Sequence, residues 1–236
     1  MKAERQKRAF DLVFGLGIFA ALSPLYLLCM LLVWLTIGRP VHFRQTRLGR
    51  YGKPFRMYKF RTMDDRQDSD GRFLPDPERI NPQGRLMRHA SLDELPQLIN
   101  VIKGEMSLVG PRPQLACFTE HCTPHELRRF AALPGMTGLA QISGRNAITW
   151  KQKFRFDAWY ADHHSLWLDL MIIIKTIPAV LKRRGIEKAV PETITIVPAK
   201  PGGAAVISLD PDLSVTSHPE GFVQAKARAT TRSARG

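Results

Sequence analysis

The sequence of 236 residues is poor in cysteine, in acidic residues and in aromatic residues. Its three cysteines, an odd number, argue against a disulfide framework. Because 21 acidic residues face 35 lysines and arginines, the formal net charge is +14 and the expected partners are anionic. Few aromatic residues are interleaved with the basic ones, and zinc-finger, helix-turn-helix and RNP-like motifs are absent, so we expect no nucleic-acid partner.

A complete metal-ligand motif is also lacking. Cys117, His121, Cys122 and His125 form a C-x3-H-C-x2-H cluster, but its gaps are short and no second ligand pair follows at finger spacing. The cluster therefore favours an ordinary helix that carries these side chains, with a zinc site as the minor alternative.

Charge is absent from residues 12–37, the most apolar part of the chain. A straight helix of that length would reach about 39 Å, which is more than a bilayer core requires. The apolar run is too long for a cleavable signal peptide, and no small-residue cleavage site follows it. The segment is therefore predicted to insert into a membrane.

Basic residues flank this segment on both sides, which by the positive-inside rule places both ends on the cytoplasmic side. They are Lys2, Arg5, Lys7 and Arg8 before it, and Arg39, Arg44, Arg47 and Arg50 after it. Near its middle, Pro24 is expected to kink the helix, and the Ser23 hydroxyl can satisfy a carbonyl freed by the kink. Two structures fit: a re-entrant helix-break-helix and an ordinary kinked spanning helix.

The remainder predicts an α/β-associated, mostly helical catalytic domain over residues 39–190. Short β-like runs at 41–44 and 55–62 precede a polar loop at 64–83. Apolar residues at helical spacing predict a short helix that ends at Gly104, and further helices are expected at 124–132, 150–162 and 165–184, the last either in the core or in the membrane interface. Residues 191–236 are rich in Pro, Gly, Ala, Ser and Thr and predict a disordered tail.

Two adjacent carboxylates, Asp93 and Glu94, stand at the start of the short helix. Ser91 and Glu94 also match a capping box, in which Glu94 merely closes the helix start. Pro96 argues against that register, because a proline beyond the first turn breaks a helical hydrogen bond, whereas with Asp93 as N-cap it occupies the third helical position. An ionised aspartate held there is a plausible nucleophile towards phosphate, and its neighbour could hold Mg²⁺ or take a proton.

Phosphate chemistry also requires fixed cations. The candidates are Lys59 and Arg61 in the second β-like run, Arg85 and Arg88 before the carboxylates, Arg112 and Arg145. Arg112 is the best placed of them, because a proline on each side fixes its backbone.

These residues resemble the bacterial sugar transferases, the small monotopic polyprenyl-phosphate phosphoglycosyl transferases. The resemblance runs from about residue 7 to 186 through ordered blocks, which are Lys7-Arg-x-Phe-Asp11, Ser23-Pro24, Lys59-Phe-Arg-Thr-Met63, Asp93-Glu-Leu-Pro-Gln-Leu-x-Asn100, Gly104-Glu-Met-Ser-Leu-Val-Gly-Pro-Arg-Pro113, Pro134-Gly-x-Thr-Gly138, Ser143-Gly-Arg-Asn146 and Trp167-Leu-Asp-Leu170. The chain resembles the minimal form of the family, without the preceding transmembrane helices of larger members.

The resemblance implies a two-step reaction at the cytoplasmic face of the bacterial inner membrane. Asp93 attacks a UDP-sugar and releases UMP, and undecaprenyl phosphate then takes the phosphosugar to give undecaprenyl-diphosphate-sugar, an early step of glycoconjugate synthesis. Glu94 joins Asp93 at a Mg²⁺ site, while Lys59, Arg88, Arg112 and Arg145 contact phosphates. The membrane helix is implied to be re-entrant over residues 1–38 and broken at Ser23-Pro24, with anionic lipids and a second copy of the chain as further partners.

Two rival functions remain. A membrane glycosyltransferase that moves the sugar alone would release UDP and would need no carboxylate nucleophile. A non-catalytic basic module that binds the membrane surface would explain the charge but would leave Asp93, Glu94 and Arg112 without a role.

Overall fold

The N-terminal apolar segment forms one helix, α1 (Lys2–Thr36), in a computed structural model that describes residues 2–116, 122–144, 148–181 and four strands beyond them. Pro24 lies inside α1, and the helix continues through it, so the predicted break into two helices at Ser23-Pro24 is not observed. The Ser23 hydroxyl donates a hydrogen bond of 2.8 Å to the carbonyl of Ala20, the group that Pro24 cannot bond because it has no N–H. Ser23 thus supplies a hydrogen bond to the carbonyl that Pro24 leaves without an amide partner.

One stripe of α1 is buried along almost its whole length. Its members recur at helical spacing and are Lys7, Asp11, Gly15, Tyr26, Cys29 and Val33. The other sides are apolar and exposed, as at Val13 (68% exposed) and Leu35 (69%). By length and composition α1 could cross a membrane. Both ends of the helix nevertheless pack on the same domain, so it lies along that domain.

After α1 the chain forms an antiparallel hairpin and then short helices interrupted by a parallel strand pair. The elements are β1 (His42–Leu48), β2 (Pro54–Phe60), α2 (Asp76–Arg79), α3 (Pro82–His89), α4 (Gln97–Lys103), β3 (Ser107–Val109), α5 (Pro124–Leu127), β4 (Gly135–Thr137), α6 (Leu139–Ser143), α7 (Trp150–His163) and α8 (Leu166–Leu181). Strands β1 and β2 pair antiparallel and β3 pairs parallel with β4. The mostly helical prediction is confirmed, including the two β-like runs and the short helix that ends at Gly104.

Two apolar clusters form the core, and α1 contributes to both. The first lies between α4, β3, α7 and α8, with Val101, Met106 and Ile172 almost fully buried. The second joins the C-terminal half of α1 to β2 and α3 through Cys29, Val33, Phe60 and Met87. Phe19, near the middle of α1, packs against both clusters.

Four strands lie in the segment for which the sequence predicted a disordered tail. They are β5 (Thr195–Val197), β6 (Ala205–Asp210), β7 (Leu213–Ser217) and β8 (Val223–Ala227), which pair antiparallel in chain order. Runs such as Ala205–Asp210 contain β-branched residues that suit strands. The prediction was based on the composition of the whole segment and did not take these short runs into account. The rest of residues 191–236 lies outside the described residues.

Candidate active site

Asp93 and Glu94 lie in a single 3₁₀ turn, Leu92–Glu94, that leads into α4. The turn is closed by hydrogen bonds from the Glu94 amide to the Ser91 carbonyl (3.3 Å) and from the Leu95 amide to the Leu92 carbonyl (3.2 Å). Helix α4 proper begins at Gln97 with Pro96 as its N-cap. The predicted register, with Asp93 as N-cap, was therefore wrong by three residues, because the 3₁₀ turn takes up the start of the helical segment.

The capping-box alternative is also wrong. Ser91 makes no side-chain cap bond to the turn that follows it, and its backbone is left-handed at φ 57°. Glu94 instead accepts hydrogen bonds at its Oε1 from Lys59 Nζ (2.8 Å) and from Arg112 Nη2 (2.7 Å). Glu94 thus joins the hairpin, the 3₁₀ turn and the loop after β3, three elements distant in sequence.

Asp93 is a buried carboxyl group beside this cluster of charges. Its Oδ2 lies 3.9 Å from Lys59 Nζ, and its residue is 9% exposed. Burial raises the pKa of Asp93, while the charge of Lys59 acts in the opposite direction and that of Glu94 adds to the rise. A more basic carboxylate is a better nucleophile once it is ionised.

Glu94 is in the opposite electrostatic state. Burial would raise its pKa, but the charges of Arg112 and Lys59 and their hydrogen bonds outweigh burial and hold the pKa of Glu94 well below its ordinary value. Glu94 is therefore ionised across the physiological pH range. The two adjacent carboxylates differ accordingly: Glu94 is paired with two cations, whereas Asp93 has only the more distant Lys59 as an ion-pair partner.

The loop that carries Arg112 is fixed by close backbone packing. It follows β3, and a Cβ atom added at Gly110 would lie 2.2 Å from the Leu133 carbonyl oxygen, while one at Gly135 would lie 2.0 Å from the Gly110 nitrogen. Only glycine allows this approach. The glycines of the blocks at 108–113 and 134–138 thus bring β3 and β4 together immediately before Arg112.

A buried ion pair holds the backbone of the same loop. Arg129 Nη2 donates to the Arg112 carbonyl (2.7 Å) and to Asp157 Oδ2 (2.6 Å), and both charged residues are 2% exposed. Burial raises the pKa of Asp157 to about 6 even though Arg129 lowers it. Sequence reasoning missed this pair, because no local pattern distinguishes Arg129 or Asp157 from surface residues of their helices.

The remaining predicted residues fall in different places. Arg88, at the end of α3, donates from Nε to the Thr62 hydroxyl (2.8 Å), and its charge lowers the pKa of Asp93. Arg145 lies outside the described residues, as do Cys117 and His121 of the candidate zinc cluster. Within the described ranges no group of three or more His, Cys, Asp or Glu side chains is arranged to hold a metal ion.

This arrangement, an aspartate beside an ion-paired glutamate and a proline-fixed arginine, occurs in a chain that matches a known family over most of its length. The sequence model described as bacterial sugar transferase matches residues 2–183. The chain belongs to the bacterial sugar transferase family. The resemblance drawn from the sequence blocks is confirmed, and so is the prediction that this family member is an enzyme, a phosphoglycosyl transferase.

Several curated relatives of this sugar transferase cover three quarters of its sequence. An uncharacterized sugar transferase of Bacillus subtilis, EpsL, is 50% identical over 182 residues, which are 77% of this chain and 90% of the relative. The exopolysaccharide production protein ExoY of Sinorhizobium fredii is 40% identical over 196 residues, 76% of this chain and 87% of the relative. The undecaprenyl-phosphate galactose phosphotransferase of Salmonella typhimurium is 40% identical over 200 residues, 76% of this chain but 41% of that longer protein.

Proposed function

We propose that this sugar transferase moves a sugar-1-phosphate from a UDP-sugar to undecaprenyl phosphate, releasing UMP. The observation that carries the proposal is the buried Asp93 carboxylate, which lies 3.9 Å from Lys59 and next to a glutamate paired with Lys59 and Arg112. Relatives named for undecaprenyl-phosphate galactose and glucose-1-phosphate transfer support the same reaction class. We place it at an early membrane step of glycoconjugate synthesis.

The reaction has two steps through a covalent intermediate. An Asp93 carboxylate oxygen attacks the β-phosphorus of the UDP-sugar, the bond from that phosphorus to the bridging oxygen breaks, and UMP leaves. A phosphate oxygen of undecaprenyl phosphate then attacks the same phosphorus. The Asp93 carboxylate is released and undecaprenyl-diphosphate-sugar forms.

Fixed cations stabilise the charge that develops on the phosphoryl oxygens. Lys59 and Arg112 lie beside the carboxylate pair, because each forms an ion pair with Glu94. When a diphosphate enters, these two cations can share their donors between Glu94 and the phosphate oxygens, and Arg88 lies close enough to affect the pKa of Asp93. A phosphate contact by Arg145, which lies outside the described residues, stays a prediction from the sequence. Arg129, which holds the backbone of Arg112 from the buried side, acts only through that residue.

Asp93 and Glu94 also suit a magnesium ion shared with the substrate. Glu94 makes both of its hydrogen bonds through Oε1, so Oε2 and the Asp93 carboxylate supply oxygen ligands of the kind that Mg²⁺ takes from one or two carboxylates. The ion, when bound, would neutralise charge on the diphosphate of the donor.

We further propose that α1 is re-entrant, with a kink at Pro24 and both of its ends on the cytoplasmic side, and that the domain lies on the cytoplasmic face of the inner membrane. A straight helix of 35 residues is about 52 Å long, and a spanning helix would carry one of its ends away from the domain. Lys7, near one end, binds Asp169 at 2.6 Å, while Val33, near the other, is buried in the second cluster. The exposed apolar sides of α1 and α8, the latter including Trp167 and Ile177, then face lipid, and basic residues contact anionic headgroups.

The test is nucleotide release from membranes that contain the protein, undecaprenyl phosphate, Mg²⁺ and one of a panel of UDP-sugars. We expect UMP from the wild type, a loss of at least 1000-fold in Asp93→Asn, and normal release in the control Asp70→Asn, whose carboxylate lies in an exposed loop. The donor that gives most UMP identifies the sugar.

Three outcomes would contradict the proposal. UDP in place of UMP would mean transfer of the sugar alone. UMP release that is unchanged in Asp93→Asn would show that Asp93 is not the nucleophile. Release of neither UMP nor UDP with any donor would favour the non-catalytic membrane-surface module.

A further inference from the structure

A groove lies between the C-terminal part of α1 and the start of β1, apart from the carboxylate pair. Its volume is about 1130 Å³, slightly above the range for sites that enclose a compact small molecule. Residues from α1, from the turn after it and from the hairpin line it. A groove of this size can hold one end of a long ligand and leave the rest of that ligand outside.

The wall formed by α1 is apolar. It consists of Met30, Leu31 and Trp34, and the last two are 45% and 49% exposed although they are large apolar side chains. They belong to the apolar sides of α1 that face away from the domain core. A hydrocarbon chain entering from the membrane would cover them and remove that surface from water.

The part of the lining that does not come from α1 carries three arginines. Arg39, Arg44 and Arg61 line it, with Asp65 as the one acidic residue among the lining residues. Asp65 forms an ion pair with Arg61, and Arg44 stacks over Tyr58 with its guanidinium carbon 5.6 Å from the ring centre. The lining therefore carries a net charge of +2, which complements a phosphate group.

The pairing of β1 with β2 connects this basic part of the lining to the active site. Phe43 pairs with Lys59, and the Arg61 amide donates to the Val41 carbonyl at 3.0 Å, which continues the same ladder by one pair. Residues two apart along a strand point to the same face. Arg61 therefore follows Lys59 along one face of the hairpin, and Lys59 in turn binds Glu94 and approaches Asp93.

We propose that this groove binds the lipid acceptor of the reaction, a polyprenyl phosphate. Its first isoprene units pack on Met30, Leu31 and Trp34, and its phosphate is held by Arg39 and Arg61. Arg61 is two residues after Lys59 and directly follows β2. A nucleotide-sugar donor has no hydrocarbon chain to cover the apolar wall. A membrane phospholipid shares the chain and the phosphate, but the continuity of the groove with Lys59 favours the reacting lipid. This inference rests on the proposed function and gives the second substrate of that reaction, the lipid acceptor, a binding site.

The two half-reactions separate this inference from the proposed function. Without acceptor, the protein should release one burst of UMP, and a wild type that gives no burst would defeat the proposed function itself. The acceptor KM is then measured on the fraction of enzyme that gives the burst, so that loss of folded protein does not enter the comparison.

Matched pairs of variants test the groove. Arg61→Gln and Leu31→Ala should raise the acceptor KM about tenfold and about fivefold. Arg56→Gln, an exposed arginine of β2, and Leu28→Ala, an apolar residue of α1 that is 52% exposed and does not line the groove, should leave it within twofold. A burst of normal size with an unchanged acceptor KM in both groove variants would overturn the assignment.

A photoreactive acceptor gives a direct readout. A short polyprenyl phosphate that carries a diazirine near its phosphate is cross-linked to the protein in bilayers, and the labelled peptide is mapped by mass spectrometry. We expect the label within residues 30–43, removed by unlabelled polyprenyl phosphate and retained in excess phosphatidylglycerol. A label confined to α8, or equal competition by phosphatidylglycerol, would show that the groove is not the acceptor site.

Discussion

Asn100 is the residue that fixes the hairpin to the helix behind the carboxylates. Its side-chain oxygen accepts from the Tyr58 amide (3.0 Å), and its nitrogen donates to the Arg56 carbonyl (2.8 Å) and to Glu105 (2.6 Å). The side chain is completely buried. Because Lys59 follows Tyr58 in β2, these bonds position the cation that pairs with Glu94.

Asn100→Ala should therefore lower the free energy of unfolding by roughly 3 kcal/mol or more, since it leaves several buried polar groups without partners. Chemical denaturation in detergent micelles measures the change, with Gln83→Ala, an exposed amide on α3, as the control. A loss no larger than that of the control would show that the Asn100 bonds do not hold the hairpin.

His42 makes stability depend on pH. It hydrogen-bonds the Tyr26 hydroxyl at 2.6 Å and stacks on Phe60, and burial, aided by the charge of Arg44, lowers its pKa. Between that lowered pKa and the value of about 6.5 in the unfolded chain, the unfolded chain binds more protons. The contribution of His42 to stability is therefore complete above pH 6.5 and is lost as the pH falls below it.

Thermal unfolding at pH 7.5 and pH 5.5 tests this sign. The wild type should lose more stability on acidification than His42→Gln, which keeps a polar partner for Tyr26 but does not titrate in this range. The same loss in both proteins would assign the acid sensitivity to other groups.

At the scale of elements, one buried network joins α1, β3, α7 and α8. Lys7 Nζ donates to Asp169 Oδ2 (2.6 Å) and to the Val109 carbonyl (3.1 Å), and the Tyr160 hydroxyl donates to Asp169 Oδ1 (2.5 Å). Val109 ends β3, so α1 and α8 both support the strand that leads to Arg112. The packing of α1 is thereby connected to the position of a proposed phosphate-binding residue.

Breaking this network on one side should be more harmful than removing both charges. Lys7→Met leaves a buried Asp169 without its cation and should cost about 3–5 kcal/mol. Adding Asp169→Leu should recover part of that loss, because the single hydroxyl hydrogen of Tyr160 can then be donated to the Val109 carbonyl, 3.0 Å away. A double variant as unstable as the sum of the two single variants, measured by denaturation, would contradict this account.

For the whole molecule, the decisive property is that both ends of α1 contact one domain. Single cysteines placed at residues 4 and 45 of an otherwise cysteine-free protein should both be labelled by an impermeant thiol reagent from the cytoplasmic side. In sealed spheroplasts neither should react until the cells are opened. Labelling from opposite sides would establish a spanning helix and reject the re-entrant topology.

Local patterns in the sequence predicted the elements well. The β-like runs formed the β1–β2 hairpin, and the apolar spacing ahead of Gly104 formed α4, because each signal depends on neighbouring residues alone. The start of α4 was misplaced, since a 3₁₀ turn and an α-helical first turn satisfy the same short sequence around Pro96.

The chemistry of the site depended on contacts that no local pattern contains. Asp93 and Glu94 were predicted, but the pairing of Glu94 with Lys59, 35 residues away, required the folded hairpin. The Arg129–Asp157 pair was missed for the same reason: each residue acquires its role only when α7 packs against the turn that carries Arg129. Likewise, the groove beside α1 is formed by residues distant in sequence, since Met30, Leu31 and Trp34 line it together with Arg61.

The intact mass of the purified protein, incubated with its UDP-sugar and Mg²⁺ but no lipid acceptor, tests the covalent mechanism most directly. We predict a mass increase equal to one sugar phosphate, on the peptide that contains Asp93, with one equivalent of UMP released and the adduct lost when undecaprenyl phosphate is added. Turnover with the acceptor but no adduct in its absence, or an adduct on a residue other than Asp93, would contradict the account.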